Sequence, residues 1–267
     1  MPRPTVSHLS ISSISLKLYS AAIPISTATG FIVRHEQALF LVSNWHVFAG
    51  VDQITGDNLD NSGLHPTRIE VTTFTAPDAD SELVTLIQSI PLIDDDHEIL
   101  WLMHGKYGIS VDVALLPLPQ NFILEQEPVN LHRLDFVGDP ERTFDISPPD
   151  PVVVVGYPLG LDGGAPWVAV WVQGSIASEY KLNVGPYPRF LIDARTRSGM
   201  SGSPVYYFPR GRAAWFTDDT RDFLVSDANQ ILGVYSGRAH AESDLGFVWR
   251  KSLIDEILLS GVRGSIR

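Results

Sequence analysis

Arg197-Ser198-Gly199-Met200-Ser201-Gly202-Ser203-Pro204-Val205 is the stretch on which the fold turns. Glycines at 199 and 202 flank Ser201 and permit positive φ on both sides of it. Such a backbone approaches a ligand closely and aims successive N–H groups at one point, which is what an oxyanion site requires. A plain Ser/Gly turn between strands is the other reading of these residues. Two segments upstream carry further reactive side chains. Phe40-Leu41-Val42-Ser43-Asn44-Trp45-His46-Val47 is an apolar strand that ends in a histidine at a turn, and Val111-Asp112-Val113-Ala114-Leu115-Leu116 is an apolar strand opened by a carboxylate. Alone, His46 fits a structural histidine and Asp112 a strand-edge aspartate facing water. If buried, Asp112 needs a partner, because an unpaired charge in an apolar strand is strongly unfavourable.

Together the three explain one another. A serine hydroxyl is a poor nucleophile until an imidazole takes its proton. That imidazole must hold the right tautomer, and a buried carboxylate on its other nitrogen both fixes the tautomer and stabilises the imidazolium. His46, Asp112 and Ser201 supply base, acid and nucleophile in that chain order, whereas α/β-hydrolases run serine, acid, histidine and subtilisin-like enzymes aspartate, histidine, serine. The Gly199–Ser203 segment also fails the G-x-S-x-G elbow, since position 203 is serine and only His240 follows Ser201.

Composition narrows the field from another side. The 267 residues hold no cysteine, which excludes disulfides, thiolate metal sites and a cysteine nucleophile. With 44% hydrophobic and 19% charged residues the chain can build a core. Its net charge of −12 repels a phosphate backbone, so nucleic acid is not an expected partner. The first thirty residues lack the apolar run of a signal peptide, and no apolar stretch is long enough to span a membrane, so the expected location is the cytoplasm with no membrane partner. Asp94-Asp95-Asp96-His97-Glu98 lacks the alternating ligands of a calcium loop, and Gly160-Leu161-Asp162-Gly163-Gly164 matches no phosphate-binding pattern. No metal and no cofactor are expected.

Short β-rich runs bounded by Gly, Pro, Asp or Asn recur along the chain, at 13–19, 29–34, 38–43, 68–74, 99–103, 112–118, 151–156, 167–178, 189–193, 203–208 and 230–236. Strands this short and frequent predict antiparallel barrels or sandwiches. Helical periodicity comes last: Leu253, Ile254, Ile257 and Leu258 share a face, Ser252 with Asp255 reads as a capping box, and Gly261 as the stop. Seven prolines between Pro117 and Pro151 read as a linker, giving an N-terminal unit at 1–125, a linker at 126–150 and a C-terminal unit at 151–267.

At this point the sequence resembles the trypsin-like, chymotrypsin-fold serine peptidases, in particular the cysteine-free bacterial branch that includes the HtrA/DegP proteases. The matching residues are Thr29-Gly30-Phe31-Ile32-Val33, Leu41 through Val47, Asp112 through Leu116, Val155-Gly156-Tyr157-Pro158-Leu159-Gly160, Gly174 through Ser178, and Asp193 through Pro204. The resemblance implies an all-β fold of two antiparallel six-stranded barrels with a C-terminal helix, the first barrel carrying His46 and Asp112 and the second Ser201. It implies a serine endopeptidase working through an acyl-enzyme, with the oxyanion held by the N–H groups of Gly199 and Ser201. The substrate, a protein or peptide, adds as a strand along Tyr235-Ser236-Gly237. Met200 stands where digestive relatives carry aspartate, so activation by a new N-terminus is not expected, and the 17 residues after Arg250 are too few for a PDZ domain.

The resemblance puts the base of the primary pocket at Arg195, beside Thr196. A guanidinium there selects acidic side chains if it faces inward, and pairs with a local acid such as Asp193 if it does not. Arg238 invites the same pair of readings. A second functional class stays open: a latent or non-catalytic domain of this fold that binds a peptide or a regulatory protein partner and is switched on by it. Esterase activity is a third use of the same three residues.

Overall fold

In the computed structural model, residues 6–75, 83–131, 143–209, 212–217, 220–225, 229–240 and 242–266 are described. The first half contains β1 (Ser13–Ser20), β2 (Ile23–His35), β3 (Ala38–Ser43), the short helix α1 (Trp45–Ala49), β4 (Arg68–Thr75), β5 (Val84–Pro91), β6 (Leu102–Met103) and β7 (Ala114–Pro117). The second half contains β8 (Thr143–Phe144), β9 (Pro151–Gly156), β10 (Val170–Ile176), β11 (Arg189–Ala194), β12 (Pro204–Tyr207), β13 (Arg212–Thr217), β14 (Thr220–Val225), β15 (Gln230–Arg238) and β16 (Leu245–Arg250). Helix α2 (Ser252–Ser260) and the two-residue β17 (Val262–Arg263) follow.

The second half closes as a six-stranded antiparallel barrel in the order β10-β11-β16-β15-β12-β9, with β14-β13-β8 as a small sheet beside it. The first half differs from the six-stranded expectation. It is one eight-stranded ladder, β17-β6-β7-β3-β2-β1-β4-β5, extended by the β5 edge and by the C-terminal β17. Segments from both ends of the sequence cross over. Val262 pairs with Met103, while at the other end Ser10 accepts the N–H of Ala169 at 2.7 Å and the indole N–H of Trp171 at 2.9 Å.

Period-two alternation explains why several strands read as unbroken apolar runs: both of their faces are buried. On β9, Val152 and Val154 face the barrel interior, whereas Val153 and Val155 face a second core. On β2 and β3, Ile32 and Leu41 fill the interior of the first sheet, and Phe31, Val33 and Val42 join that same second core. This central core therefore lies between the halves, and Leu253, Ile254 and Ile257 of α2 seal it.

The helix forms where the apolar spacing predicts, but its ends differ. Lys251 occupies the N-cap position in helical geometry without a side-chain cap, so Ser252 is the first helical residue and the expected capping box is absent. The Lys251 ammonium instead donates to the Leu131 carbonyl at 2.7 Å. Gly261 ends the helix by close approach: a Cβ there would lie 2.5 Å from the Ile257 carbonyl. Of the expected linker, 132–142 lies outside the described residues, and Val129 docks on β2 through its N–H to the Ile32 carbonyl at 2.7 Å.

Because Ile254 is fully buried in the central core, Ile254→Ala should destabilise the protein by about 2–5 kcal/mol. Leu259→Ala, on the exposed face of the same helix, should change stability by less than about 0.5 kcal/mol. Urea denaturation of the two variants checks the contrast.

Candidate functional site

The strand β3 runs into α1, a single helical turn closed by Gly50 at φ +70°, and His46 is its second residue. The sequence predicts a turn here, and the structure makes it helical. This turn aims two groups at one carboxylate: the His46 backbone N–H donates to Asp112 Oδ1 at 2.9 Å, and His46 Nδ1 lies 2.7 Å from Asp112 Oδ2. The hydroxyl of Ser236 donates to the same Oδ2 at 2.7 Å, and Asn44 Nδ2 holds the Asp112 carbonyl at 2.7 Å. Asp112, only 2% exposed, is thus partnered on both oxygens.

Burial alone would raise the Asp112 pKa, but the His46 charge and the hydrogen bonds from His46 and Ser236 hold it below the usual carboxylate range. For His46, burial opposes protonation, yet the Asp112 charge and hydrogen bond outweigh it and lift the imidazole above its ordinary value. The carboxylate therefore stays ionised while the imidazole gains basicity.

Ser201 lies in a loop whose shape depends on two glycines. Gly199 has φ +90° and Gly202 has φ +86°, conformations that L side chains avoid. A Cβ on Gly199 would stand 2.5 Å from the Tyr157 carbonyl, and one on Gly202 would overlap the Thr29 carbonyl. The loop's carbonyls are held outward. Leu159 N–H donates to Ser198 O at 2.6 Å, Thr29 Oγ1 to Gly199 O at 2.7 Å and Thr29 N–H to Ser201 O at 2.9 Å. The N–H groups of Met200, Gly202 and Ser203 are taken by the Arg197, Tyr235 and Met200 carbonyls, whereas those of Gly199 and Ser201 have no acceptor among the described residues. Because a trans peptide points its N–H opposite its carbonyl, the Ser198–Leu159 bond turns the Gly199 N–H away from Leu159.

Thr29 is the residue that sequence reading under-rates. It comes from the first half, yet its hydroxyl also accepts the N–H of Tyr157 at 3.1 Å, and its carbonyl accepts Ser43 Oγ at 2.8 Å. It is fully buried and ties the Ser201 loop to the strand that leads into His46. His46, Ser198, Gly199 and Ser201 share a cavity of about 310 Å³ with residues 25–28 of β2. No hydrogen bond joins Ser201 Oγ to His46 among the described residues. On the other flank His46, Asp112, Ser236, Gly237 and Arg238 line a cavity of about 240 Å³. A larger cavity of about 540 Å³, between the end of β2 and α2, holds none of these residues.

The residues expected at the pocket divide. Thr196 and Tyr235 are buried and hydroxyl-bonded to each other, and a Cβ at Gly246 would lie 2.5 Å from the Tyr235 ring. Ser236 serves Asp112, and Gly237 adopts φ +135° at the cavity rim. Arg195 does not reach the site: its side chain is 85% exposed and its Nε lies 3.9 Å from Asp244, an acid other than the Asp193 considered from sequence.

A family model described as a trypsin-like peptidase domain matches residues 28–213. No curated protein matches. Among solved structures, the serine endoprotease from Yersinia pestis is similar with a TM-score of 0.48 and 16% identity, over 96% of this chain and 67% of that one. The active form of the Rv3671c protease from M. tuberculosis is similar with a TM-score of 0.46 and 18% identity, over 96% of this chain and 84% of that one. GrC has the same fold at a TM-score of 0.53 and 15% identity, over 96% of both chains. Matched over the greater part of its length by that family model, the chain belongs to the trypsin-like peptidases and is a serine protease.

Proposed function

We propose that the chain is an endopeptidase acting through an acyl-enzyme, with Ser201 as nucleophile, His46 as general base and Asp112 as the acid that orients it. The observation carrying this reading is the doubly bonded Asp112–His46 pair beside a cavity that His46 shares with Ser201 and its acceptor-free N–H groups. Ser201 Oγ attacks the scissile carbonyl and its proton passes to His46 Nε2. The N–H groups of Gly199 and Ser201 hold the oxyanion, the C–N bond breaks, and His46 returns the proton to the leaving amine. Water repeats the sequence on the ester. The open Ser201–His46 contact closes when substrate fills the site, as catalytic hydrogen bonds do. On this reading a peptide adds as a strand along Tyr235-Ser236-Gly237, using the backbone beyond Tyr235, whose own N–H and carbonyl are taken by Ser203 and Gly202. The same reading divides the chain at 1–125, 126–150 and 151–267.

Covalent labelling with a fluorophosphonate, read by intact mass and peptide mapping, tests the hydroxyl, the base and the oxyanion donors together. Labelling should occur at Ser201 and vanish in His46→Ala. A folded wild type that stays unlabelled would favour the latent domain awaiting a regulatory protein partner.

Removing the Asp112 charge leaves His46 buried without its counter-ion. In Asp112→Asn the His46 pKa should therefore fall from its raised position, because burial is then no longer outweighed by the Asp112 charge and hydrogen bond, and NMR of the histidine resonances can follow the fall. In the intact protein the reacting form is neutral imidazole, so activity should fall as pH drops through the raised His46 pKa. The same substitution should lower kcat on the order of 10⁴-fold.

The resemblance puts Thr196 and Tyr235 at the primary pocket, and their burial, mutual hydroxyl bond and packing on Gly246 support the reading that the residue whose carbonyl is attacked is small. Matched peptides should be cut at least about tenfold faster with Ala than with Phe at that position. Equal rates would show that Tyr235 moves aside.

A further inference from the structure

The cavity on the Asp112 flank of His46 is lined by two arginines, Arg189 and Arg238, that the chemistry above does not use. Arg189 opens β11 and lines this cavity with Phe247, Gly237 and Asp52, beside His46 and Asp112. Its guanidinium carbon sits 4.0 Å over the Phe247 ring and 5.2 Å from the Trp249 centroid, and its Nε donates to the Val184 carbonyl at 3.2 Å. The two terminal nitrogens meet neither a carboxylate nor any other hydrogen-bond acceptor among the described residues. Arg68, Arg195, Arg197 and Arg263 find acids, and Arg250, likewise stacked on aromatic rings, gives its terminal nitrogen to the Tyr180 and Leu182 carbonyls, whereas the terminal nitrogens of Arg189 have no such acceptor among the described residues.

Neither nearby carboxylate hydrogen-bonds the guanidinium, although the Asp112 charge favours it from a distance without offsetting its burial. Both oxygens of Asp112 are taken by His46 and Ser236. Asp52 turns Oδ1 to the N–H groups of Ile54 and Thr55. Burial disfavours the Arg189 charge, and an arriving anion would recover that loss. Stacking on Phe247 also fixes the plane of the guanidinium in advance, so little freedom is lost when its fork engages a carboxylate.

We propose that this cavity is a substrate subsite for an acidic side chain, an aspartate or glutamate close to the scissile bond, whose carboxylate is held by Arg189. The proposal rests on the peptidase reading above and names a preference within it. Its selectivity lies to one side of the bond that is cut, separate from the small residue required at the primary pocket.

The test uses the full chain and peptides with blocked termini, so that the only added carboxylate is a side chain. Fluorophosphonate labelling at Ser201 first establishes a working site. Paired substrates then differ by Asp against Asn, or Glu against Gln, at each position on either side of the scissile bond. At one position the acid should be preferred in kcat/KM by at least about tenfold, the scale of a charge-assisted hydrogen bond. That ratio should collapse toward one in Arg189→Gln and be partly kept in Arg189→Lys. A labelled wild type with no acid preference at any position overturns the proposal. So does a preference for lysine, which would assign the cavity to Asp52, or an acid preference that survives Arg189→Gln. If Arg189→Gln does not fold, Arg189→Lys decides: its acid-to-amide ratio should fall below that of wild type, and an unchanged ratio overturns the proposal. Absence of labelling would instead remove the peptidase reading, and the subsite with it.

Discussion

The site depends on the bonds made by Thr29, which join the two halves at the Ser201 loop. A serine loop on one sheet and a histidine on another can act together, as the proposed reading requires, only if their separation is fixed to a fraction of an ångström. Thr29 supplies that constraint from a buried position. Its N–H and hydroxyl hold the carbonyls of Ser201 and Gly199, and its hydroxyl also accepts the Tyr157 N–H. Its carbonyl takes the hydroxyl of Ser43, the last residue of the strand leading to α1. The N–H groups of Gly199 and Ser201 belong to the peptides whose carbonyls, Ser198 and Met200, are taken by the N–H groups of Leu159 and Ser203. Valine would keep the β-branched shape and lose the hydroxyl, so the constraint is chemical as well as steric.

The second requirement is electrostatic. Asp112 is buried just before β7, which begins at Ala114 rather than at Asp112 as the sequence predicts, and its ionised form is tolerated there only because each oxygen accepts a hydrogen bond and one faces the imidazole. Removing any one partner would leave a buried acceptor less satisfied, which costs more than the bond itself contributes. The central core around β2, β3, β7 and β9 excludes water behind the pair. Packing between the halves and the basicity of His46 are therefore consequences of the same burial.

Much of this is legible in the sequence because alternation and chemistry coincide there. The valine run of β9, the apolar approaches to His46 and Asp112, and the glycines around Ser201 all mark buried strands or positive-φ turns. Thr29 stands out only as part of an apolar motif, since threonine is ordinary in a strand and its partners lie far along the chain. The strands β5 and β16 escape sequence reading for different reasons: β5 is an edge with most side chains exposed, and Gly246 in β16 reads as a breaker although it makes room for the Tyr235 ring. Arg195 illustrates the limit of counting. Position along the chain places it near the pocket, but alternation decides its direction: Ala194 and Thr196 on either side point inward, and Arg195 points to solvent.

Arg189 and Arg195 show how two arginines on one segment acquire different uses. Arg195, exposed beside Asp244, is screened by solvent and adds little. Arg189 is half-buried against aromatic rings, where its field is less attenuated and its orientation is set. In a chain of net charge −12, the long-range field disfavours the approach of an acidic peptide. Discrimination in favour of such a peptide must then come from short-range contact after encounter, in the cavity where the Arg189 guanidinium stands beside His46 and Asp112.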